Sequence, residues 1–420
     1  MRQQKSIFEN LDWLTVTIYL VMVLFGWMNI YAAVYNEDHQ SILDYSQNYG
    51  KQLVWISISL VFAIVILIID GKFYEAFAYP FYIAIILLNV AAIFLSRDIK
   101  GAHAWIPIGS FNLQPSEFAK LATALAVAKY LSSPYIRIAE DKTKVIASAI
   151  ILIPMGIILM QNDTGSALVF AAFLFVLYRE GLSQNVLIFG FVAALIFVLS
   201  LMVAKLYLLI SIALILFLAW FTLRRTWKNL IVLLLIGSVA AGMVFSVDYV
   251  YNHALQAHQK QRIDVLLGKT SDLKGAGYNV NQSLIAIGSG GVTGKGFLQG
   301  TQTKYDFVPE QSTDFIFCTI GEEWGFLGTF LVLAVFTALL YRIIIISERQ
   351  KNSFVRVYGY GVASILFFHV FINVGMTIGL LPVIGIPFPF YSYGGSSLIS
   401  FTVLLFILIK LDSYRMYVLR

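Results

Sequence analysis

The chain has 420 residues, of which 59% are hydrophobic and 12% are charged, and its mean hydropathy is +0.80. Soluble domains carry roughly a quarter charged residues, so the composition excludes an ordinary water-soluble globular protein. The chain has a net charge of +6. Its cations concentrate on one side of the predicted topology, so the excess of positive charge indicates membrane orientation and not nucleic-acid binding. The single cysteine, Cys318, and five scattered histidines provide neither a disulfide nor a cysteine-based metal site.

Continuous apolar runs of membrane-spanning length recur along the whole chain. In chain order they are predicted at 14–34, 52–69, 75–95, 117–131, 145–160, 165–179, 185–203, 206–223, 229–247, 313–341, 355–378 and 394–411. Because the runs do not alternate with a period of two, they predict helices and not the strands of a barrel. The sequence therefore predicts an all-α polytopic membrane protein, with about twelve transmembrane helices in a single membrane domain over 1–420.

Lysine and arginine residues concentrate on one side of this topology. An even number of spans puts both termini on the same side, and a cytoplasmic N-terminus places most cations in cytoplasmic segments. These include Arg2, Lys5, Lys72, Arg137, Lys142, Lys144, Arg179, Arg224, Arg225, Lys228, Arg342, Arg349, Lys351, Arg356, Lys410, Arg415 and Arg420. By the positive-inside rule, we expect an inner-membrane protein with both termini in the cytoplasm.

Three unusual connections then lie on the periplasmic face. Residues 248–312 form a polar segment far longer than a usual loop, and residues 96–116 and 379–393 are rich in Gly, Pro and aromatic residues. Loops held by a rigid scaffold commonly carry function, so we expect the active face to be periplasmic. The sequence has no P-loop and no glycine-rich dinucleotide turn. An enzyme on this face therefore needs a substrate that is already activated.

The large extracytoplasmic loop 248–312 combines glycines with cations. Asp272 precedes a Gly-Ala-Gly-Tyr turn at 275–278, and further glycines follow between 288 and 300, interleaved with apolar residues. That apolar character predicts a segment that packs back onto the helices. Each cation alone is typical of a solvated or headgroup-facing side chain, but together they are suited to holding a diphosphate leaving group. They are Lys260, Arg262, Lys274, Lys295 and Lys304.

Ionisable residues also lie at the start of, or inside, apolar spans. Glu117 and Lys120 occupy one span, and Asp314 and the pair at 322–323 occupy another. An ionisable group within the membrane is costly, so it usually faces a cavity or a partner. Glu117 and Lys120 are three residues apart on one helical face and can pair. A structural ion pair and a polar cavity wall both remain open, and both can hold at once.

The connection 379–393 is apolar but contains Pro382, Pro387 and Pro389, which prevent a regular helix. Non-helical backbone at membrane depth is tolerated where protein covers it or where it lines a cavity. This segment is therefore predicted to be re-entrant or interfacial, and it is suited to shaping a groove for a lipid tail.

Several of these segments resemble, in the same order, motifs of the SEDS family of bacterial cell-wall proteins. They are WIPIG at 105–109, QPSEFAK at 114–120, QNDTG at 161–165, the glycine-rich run 275–300, FVPE at 307–310, TDFIF at 313–317, GEE at 321–323 and PFPFYSYGGS at 387–396. The motifs extend over about residues 100–400. The resemblance implies a core of ten helices, and an extra helical hairpin within about 185–247 would explain the larger number of predicted spans.

The resemblance also implies a function. It is that of a peptidoglycan glycosyltransferase, which polymerises lipid II into glycan strands during cell elongation and leaves undecaprenyl diphosphate. Crosslinking then needs a class B penicillin-binding protein, alongside other elongation-complex proteins. An aspartate before the G-x-G-Y turn is essential in that family, and Asp272 occupies its position, where a carboxylate can act as general base. Here Leu273 and Lys274 follow the aspartate, where the family usually has proline.

The remaining site residues follow from the same resemblance and from their charges. We expect the cavity or the diphosphate to be contacted by Glu117, Lys120, Lys260, Arg262, Lys295, Glu310 and Asp314. Lys260 stands where the family often has arginine, so it keeps the charge but lacks the planar fork. No motif demands a cofactor or a metal, although a divalent cation would help to neutralise the diphosphate.

Two alternatives to the enzyme remain, a flippase that moves lipid II across the membrane and a non-catalytic scaffold of the elongation complex. Many spans and intramembrane charges are equally expected of a transporter. Transporters, however, often have two halves of matching hydropathy, and no such symmetry is visible in this sequence. The large loop on one face favours chemistry there.

Overall fold

The structure is a computed structural model, and it describes residues 10–35, 41–42, 44–99, 101–109, 111–254, 257–267, 276–304 and 307–415. Its long apolar runs form helices because a helix satisfies every backbone hydrogen bond within the segment. Two compact units are distinguished, unit 1 comprising Met1–Gly181 with Tyr278–Arg420, and unit 2 comprising Leu182–Gly277. A single membrane domain over 1–420 stays a prediction.

The helices follow one another in chain order. Unit 1 begins with α1 (Trp13–Ala33), α2 (Asn48–Ile68), α3 (Gly71–Ala76), α4 (Ala78–Leu95), α5 (Pro115–Leu131), α6 (Asp141–Met160), α7 (Thr164–Val169) and α8 (Phe173–Arg179). Unit 2 holds α9 (Gln184–Met202), α10 (Lys205–Thr222), α11 (Trp227–Tyr249) and α12 (Ala257–Leu266). The chain then continues with α13 (Ala276–Gly290), α14 (Thr301–Lys304), α15 (Ile316–Glu348), α16 (Ser353–Thr377) and α17 (Gly395–Ser413).

Ten of the described helices are long and apolar enough to cross a membrane, so the chain is an all-α, multi-pass membrane protein. The predicted number of about twelve spans is revised to ten of full length. The other two predicted spans are helical but shorter. One is α5, with 17 residues. The other is the segment Thr164–Arg179, which a 3-10 turn at Phe170–Ala172 interrupts between α7 and α8.

A small antiparallel sheet, which the sequence did not predict, forms part of the connection 96–116. Its strands are β1 (Arg97–Ile99), β2 (Ala102–Ile108) and β3 (Phe111–Leu113), in the order β1-β2-β3. Trp105 pairs with Arg97, and Ile106 pairs with Leu113. β3 ends at Leu113, two residues before α5 begins at Pro115, a residue suited to the first position of a helix.

Helix α5 lies at the centre of unit 1, packed against α4, α6 and α16. Nearly all of its residues are buried, and many of them are alanine. Small side chains allow helices to approach closely, which is the usual basis of helix packing in membranes. At one such contact, a Cβ on Gly361 would lie 3.3 Å from the Cβ of Ala124.

A buried polar network, here called the Asp12 cluster, joins α1, α15 and α17. Asp12 caps α1 by accepting a hydrogen bond from the Thr15 amide at 3.0 Å. Its Oδ2 also accepts from Arg342 Nη2 at 2.6 Å and from Arg349 Nη2 at 3.0 Å, and Arg349 pairs with Asp412 as well. Burial alone would raise the pKa of Asp12, but the hydrogen bonds from Arg342 and Thr15 lower it to about 2.

Unit 2 buries a small apolar cluster formed by Ile196, Leu208, Ala240 and Val244. Most other large apolar side chains of α9, α10 and α11 are exposed, as expected for helices that face lipid. Lys205, at the start of α10, pairs with Asp248 near the end of α11. The range 185–247 therefore holds three helices, and an extra hairpin relative to the family core stays a prediction.

The described parts of the loop 248–312 are largely helical, since they include α12, α13 and α14. The glycine-containing part packs onto unit 1, as predicted, because a Cβ on Gly290 would lie only 2.0 Å from the carbonyl oxygen of Gly321. The segment 379–393 contains no helix, and its side chains Ile386, Phe388 and Tyr391 are buried. This agrees with the predicted irregular and covered segment.

Candidate functional site

The start of α5 brings together three of the motifs found in the sequence. Gln114 Nε2 donates to Asp163 Oδ2 at 3.0 Å, and Ser116 Oγ donates to the same oxygen at 3.2 Å. The backbone N–H of Gln114 donates to Ser396 Oγ at 3.2 Å. Residues distant in sequence therefore hold the N-terminal turn of α5 from two sides. This turn carries Glu117 one residue after Ser116.

A fully buried charged group lies one turn further along α5. Lys120 Nζ is 2.7 Å from Glu117 Oε1 and 2.8 Å from His369 Nε2, and it lies 5.4 Å from the centroid of the Phe401 ring. Glu117, Lys120 and His369 each have only 1% of their surface exposed. These four residues are called the Lys120 cluster. The predicted pairing of Glu117 with Lys120 is confirmed.

The Lys120 cluster also reaches the irregular segment 379–393. His369 Nδ1 is 3.3 Å from the carbonyl oxygen of Pro387, while its Nε2 faces Lys120. On the other side, no described residue donates a hydrogen bond to Glu117 Oε2, although that atom is buried. Buried polar atoms are nearly always hydrogen-bonded, so a buried carboxylate oxygen with no described donor is unusual in a packed interior.

A second carboxylate, Glu322, is surrounded by donors. Its Oε1 accepts from Lys295 Nζ at 2.6 Å and from the backbone N–H of Gln302 at 2.9 Å, and it lies 3.3 Å from the hydroxyl of Thr301. Its Oε2 accepts from the backbone N–H of Thr303 at 3.0 Å. These five residues are called the Glu322 cluster. They fix α14 and the loop before it against the start of α15.

A break in α15 accommodates the glycine-rich segment. Gly325 has a φ of 65° and a ψ of −162°, which a residue with a side chain rarely adopts. Across this break, the backbone N–H groups of Phe326 and Leu327 donate to the carbonyl oxygens of Gly291 and Val292 at 2.9 and 3.1 Å. Backbone groups that the broken helix leaves unpaired are thereby satisfied, as buried backbone requires.

The segment before α15 is tied to the loop 379–393. Asn373 Nδ2 donates to the carbonyl oxygens of Asp314 at 2.8 Å and of Ile386 at 2.7 Å. Ser392 Oγ donates to the carbonyl oxygen of Thr313 at 2.5 Å. Asp314 is half-buried at this junction.

The other predicted site residues of unit 1 have different surroundings. Glu310 is exposed, has a φ of 59°, and accepts a hydrogen bond from the Thr313 hydroxyl at 2.9 Å. Lys295 is three-quarters buried and forms an ion pair with Glu322. Its charge is thus already balanced within the fold.

The predicted cations of the long loop do not all lie in the same unit. Lys260 and Arg262 belong to α12 of unit 2. Lys260 Nζ donates to the carbonyl oxygen of Asn252 at 2.8 Å and lies 5.9 Å from the centroid of the Tyr251 ring. Asp272 and Lys274 lie outside the described residues, so the catalytic role of Asp272 stays a prediction.

Three polar residues at this site were not identified from the sequence. Asp163 receives the α5 side chains, Asn373 joins two loops, and His369 contacts Lys120. A signal for two of them was present, because His369 and Asn373 interrupt the apolar span 355–378. Polar residues within a membrane span usually face a partner or a cavity.

The fold and the buried charged cluster define a multi-pass membrane protein with a polar site inside its helical bundle. The family model of the FtsW, RodA and SpoVE cell cycle proteins matches residues 12–212 and 204–417. The chain belongs to this family.

Its relatives are named for one activity. The peptidoglycan glycosyltransferase MrdB of Escherichia coli is 34% identical over 83% of this chain and 81% of its own length. The peptidoglycan glycosyltransferase RodA of Treponema pallidum is 32% identical over 93% of this chain and 94% of its own length.

Solved structures agree on the fold. A chain from a peptidoglycan synthase complex, described as coordinating polymerisation and crosslinking, has a TM-score of 0.69 and 27% identity, with 96% of this chain and 98% of that chain covered. The rod shape-determining protein RodA of Thermus thermophilus has a TM-score of 0.64 and 24% identity, with 98% of this chain and 99% of that chain covered.

Proposed function

We propose that the protein is a peptidoglycan glycosyltransferase that polymerises lipid II into glycan strands during cell elongation. The observation that carries this proposal is the 34% identity to a peptidoglycan glycosyltransferase over 83% of the chain. The helical membrane architecture supports it, because a substrate with an undecaprenyl tail is held in the bilayer and must reach the site laterally.

The reaction needs two functions from the protein, a base and positive charge for the leaving group. A sugar hydroxyl oxygen of the acceptor forms a bond to the anomeric carbon of the lipid-linked donor, and the bond from that carbon to the diphosphate breaks. The hydroxyl proton passes to a base, and the diphosphate leaves with the bonding electrons. We assign the base to Asp272. Positive charge for the leaving group comes from Lys260 and Arg262.

The surroundings of the other predicted site residues in unit 1 lead to further assignments. The Lys120 cluster is a polar wall of the cavity, and the free oxygen of Glu117 supports this role. Lys295 is a less favourable diphosphate ligand, because it would have to leave Glu322, 2.6 Å away, to bind an anion. Glu310 and Asp314 are proposed to border the substrate site beside the segment 379–393.

The proposal places the active face in the periplasm and both termini in the cytoplasm. The cations of the Asp12 cluster, Arg342 and Arg349, belong to segments that the positive-inside rule assigns to the cytoplasm. We propose that a class B penicillin-binding protein, together with other elongation-complex proteins, supplies crosslinking. The likeness to a chain from a synthase complex that joins polymerisation to crosslinking supports such a partner.

Polymerisation of purified lipid II, with the cognate penicillin-binding protein present, tests the function and the base together. We expect glycan strands from the wild type, and a rate lowered by about 10²-fold or more in Asp272→Ala and Asp272→Asn, which is the usual contribution of a general base. Asp141→Asn is the matched control, because Asp141 is an exposed acid that pairs with Lys144 on the same helix, and this variant should retain full activity.

Other outcomes would change specific parts of the proposal. Wild-type activity in Asp272→Asn would remove the general-base assignment but keep the enzyme. A wild type that makes no polymer and moves lipid II between leaflets would establish the flippase instead. The same assay with a chelator tests whether a divalent cation neutralises the diphosphate.

A further inference from the structure

The Lys120 ammonium group contacts two polar side chains and an aromatic ring. Its Nζ lies 2.7 Å from Glu117 Oε1 and 2.8 Å from His369 Nε2. The ammonium also lies 5.4 Å from the centroid of the Phe401 ring, within cation–π range. An ammonium group only donates hydrogen bonds, so His369 Nε2 must act as the acceptor.

This contact defines the tautomer of His369. If Nε2 accepts from Lys120, the proton of the neutral ring is on Nδ1, which faces the Pro387 carbonyl oxygen at 3.3 Å. A protonated imidazole would place a second cation against the ammonium of Lys120 at a site with almost no exposed surface. Among the described residues, Lys120 of α5 contacts the ring at Nε2 and is itself paired with Glu117, and the centroid of the Phe401 ring of α17 lies 4.8 Å from that of the imidazole.

We infer that His369 is a positioning residue: it accepts a hydrogen bond from Lys120, and so orients the Glu117–Lys120 pair, and it ties this pair to the loop 379–393 through Pro387. This inference rests on the proposed role of the Lys120 cluster as a wall of the glycosyltransferase cavity. His369 thereby links α5, α16 and the proline-containing loop, so that loop position and lysine orientation are coupled.

Two amide substitutions separate the two contacts of the imidazole ring. In His369→Gln, the side-chain oxygen reaches the position of Nε2 and can accept from Lys120. In His369→Asn, the shorter amide reaches the position of Nδ1 and can donate to Pro387, but it cannot reach Lys120. His369→Leu removes both contacts. The assay is lipid II polymerisation with the cognate penicillin-binding protein.

If the function of His369 is to orient Lys120, the variant His369→Gln will keep most of the wild-type rate and the variant His369→Asn will not. We expect His369→Leu and His369→Asn to lose about tenfold or more in rate, the equivalent of one hydrogen bond to a charged group. Rescue by Asn but not by Gln would overturn the inference and leave only a tether to the loop. Equal polymerisation rates in all three variants, whether at the wild-type level or equally reduced, would also overturn the inference.

His253 is the matched control, because its ring nitrogen also faces a backbone carbonyl, that of Tyr249 at 3.2 Å, but its side chain is exposed. His253→Gln and His253→Leu should both retain wild-type activity. Loss of activity in both would show that histidine substitutions harm the protein generally, and it would remove the support that the position-369 variants provide.

A stability measurement separates failure of the inference from failure of the proposed function. Melting temperatures are measured for the wild type, Lys120→Met, His369→Leu and the double variant. If the two residues are coupled, the double variant will lose less than the sum of the single losses. Additive losses would overturn the contact itself. Coupling in a protein that makes no polymer would keep the contact and reject the proposed function.

Discussion

Two buried lysine–glutamate pairs lie in unit 1, and they differ in how the carboxylate is satisfied. Glu117 accepts from Lys120 through Oε1, and no described residue donates to its Oε2. Glu322 accepts from Lys295 and from two backbone N–H groups, so that both of its oxygens have donors. The lysines differ as well, since the side chain of Lys120 is 2% exposed and that of Lys295 is 25% exposed.

The difference indicates which pair is structural. Backbone donors fix Glu322 whether or not its lysine is present, and the exposed part of Lys295 can be solvated. Glu117 depends on one side chain for its charge balance, and a buried carboxylate without its partner is strongly destabilising. The Glu322 cluster therefore fastens α14 and the loop before it through several donors, whereas the one described donor to the Glu117 carboxylate is Lys120.

The largest expected effect is the loss of stability when Lys120 is replaced, compared with the loss when Lys295 is replaced. Lys120→Met leaves a buried carboxylate without a charged partner and should cost about 3–5 kcal/mol of stability, whereas Lys295→Met should cost about 1 kcal/mol because other donors remain on Glu322. Thermal unfolding of the purified protein in detergent measures both. The comparison fails if the two variants are destabilised equally.

Two further variants sharpen this result. Adding Glu117→Gln to Lys120→Met removes the uncompensated charge and should recover part of the lost stability. Lys144→Met, at an exposed pair with Asp141, should leave stability nearly unchanged, because exposed ion pairs contribute little. Activity adds separate information on Lys295, since a stable Lys295→Met variant with a raised KM for lipid II would show that this lysine binds substrate despite its ion pair.

A medium effect is expected where the glycine-rich segment meets α15. A Cβ on Gly290 would lie 2.0 Å from the Gly321 carbonyl oxygen, a backbone atom that cannot move aside cheaply. Gly290→Ala should therefore cost about 1–3 kcal/mol, as overpacking does. Gly288, in the same helix, is the matched control because a Cβ there meets nothing within 4 Å.

The control should move in the opposite direction. Gly288→Ala replaces glycine in a helix with the best helix former and should stabilise the protein by up to about 1 kcal/mol. Thermal unfolding again measures both. If the two alanine variants have the same stability, the close approach of α13 to α15 does not contribute to holding the Glu322 cluster.

Much of the fold was predictable because span length and apolar composition respond directly to the bilayer. Each predicted run is helical, and the prediction missed only features that depend on local or tertiary detail. The segment 96–116 contains a sheet because short strands can pair across turns. The long loop 248–312 contains helices, and Gly290 within it lies where α13 closely approaches α15, which is a tertiary contact.

The site was less predictable because its geometry comes from tertiary contacts. The spacing of Glu117 and Lys120 predicted their pairing, since both lie on one turn of one helix. The contact of Lys120 with His369 joins residues 249 positions apart, and nothing in local spacing indicates it. The ion pair of Lys295 with Glu322 joins residues 27 positions apart and is also not indicated by local spacing, so a cation expected to be available for an anion is already paired.

The smallest effect is expected at Asp12, a carboxylate that resembles Glu322 in having several donors but whose arginine partners, Arg342 and Arg349, are about a quarter exposed. The pKa of Asp12 is lowered from an ordinary value of 3.8 to about 2. Its contribution to stability is therefore fully present above about pH 4 and is lost as the pH falls toward 2. At neutral pH, Asp12→Asn should cost about 1 kcal/mol.

Asparagine is suited to this test because it can still cap α1, so the substitution removes the charge and not the cap. The difference in stability between wild type and Asp12→Asn should be constant from pH 7 to about pH 4 and should shrink below that, since the carboxylate of the unfolded wild type is protonated first and that of the folded protein only near pH 2. In proteins that also carry Arg342→Met, the stability difference caused by Asp12→Asn should be smaller from pH 7 to about pH 4, because the donor at 2.6 Å is gone. If the difference does not change with pH, Asp12 is not stabilised as an anion. The Asp12 cluster would then owe its strength to hydrogen bonds alone, and donor number rather than charge would distinguish the clusters of unit 1.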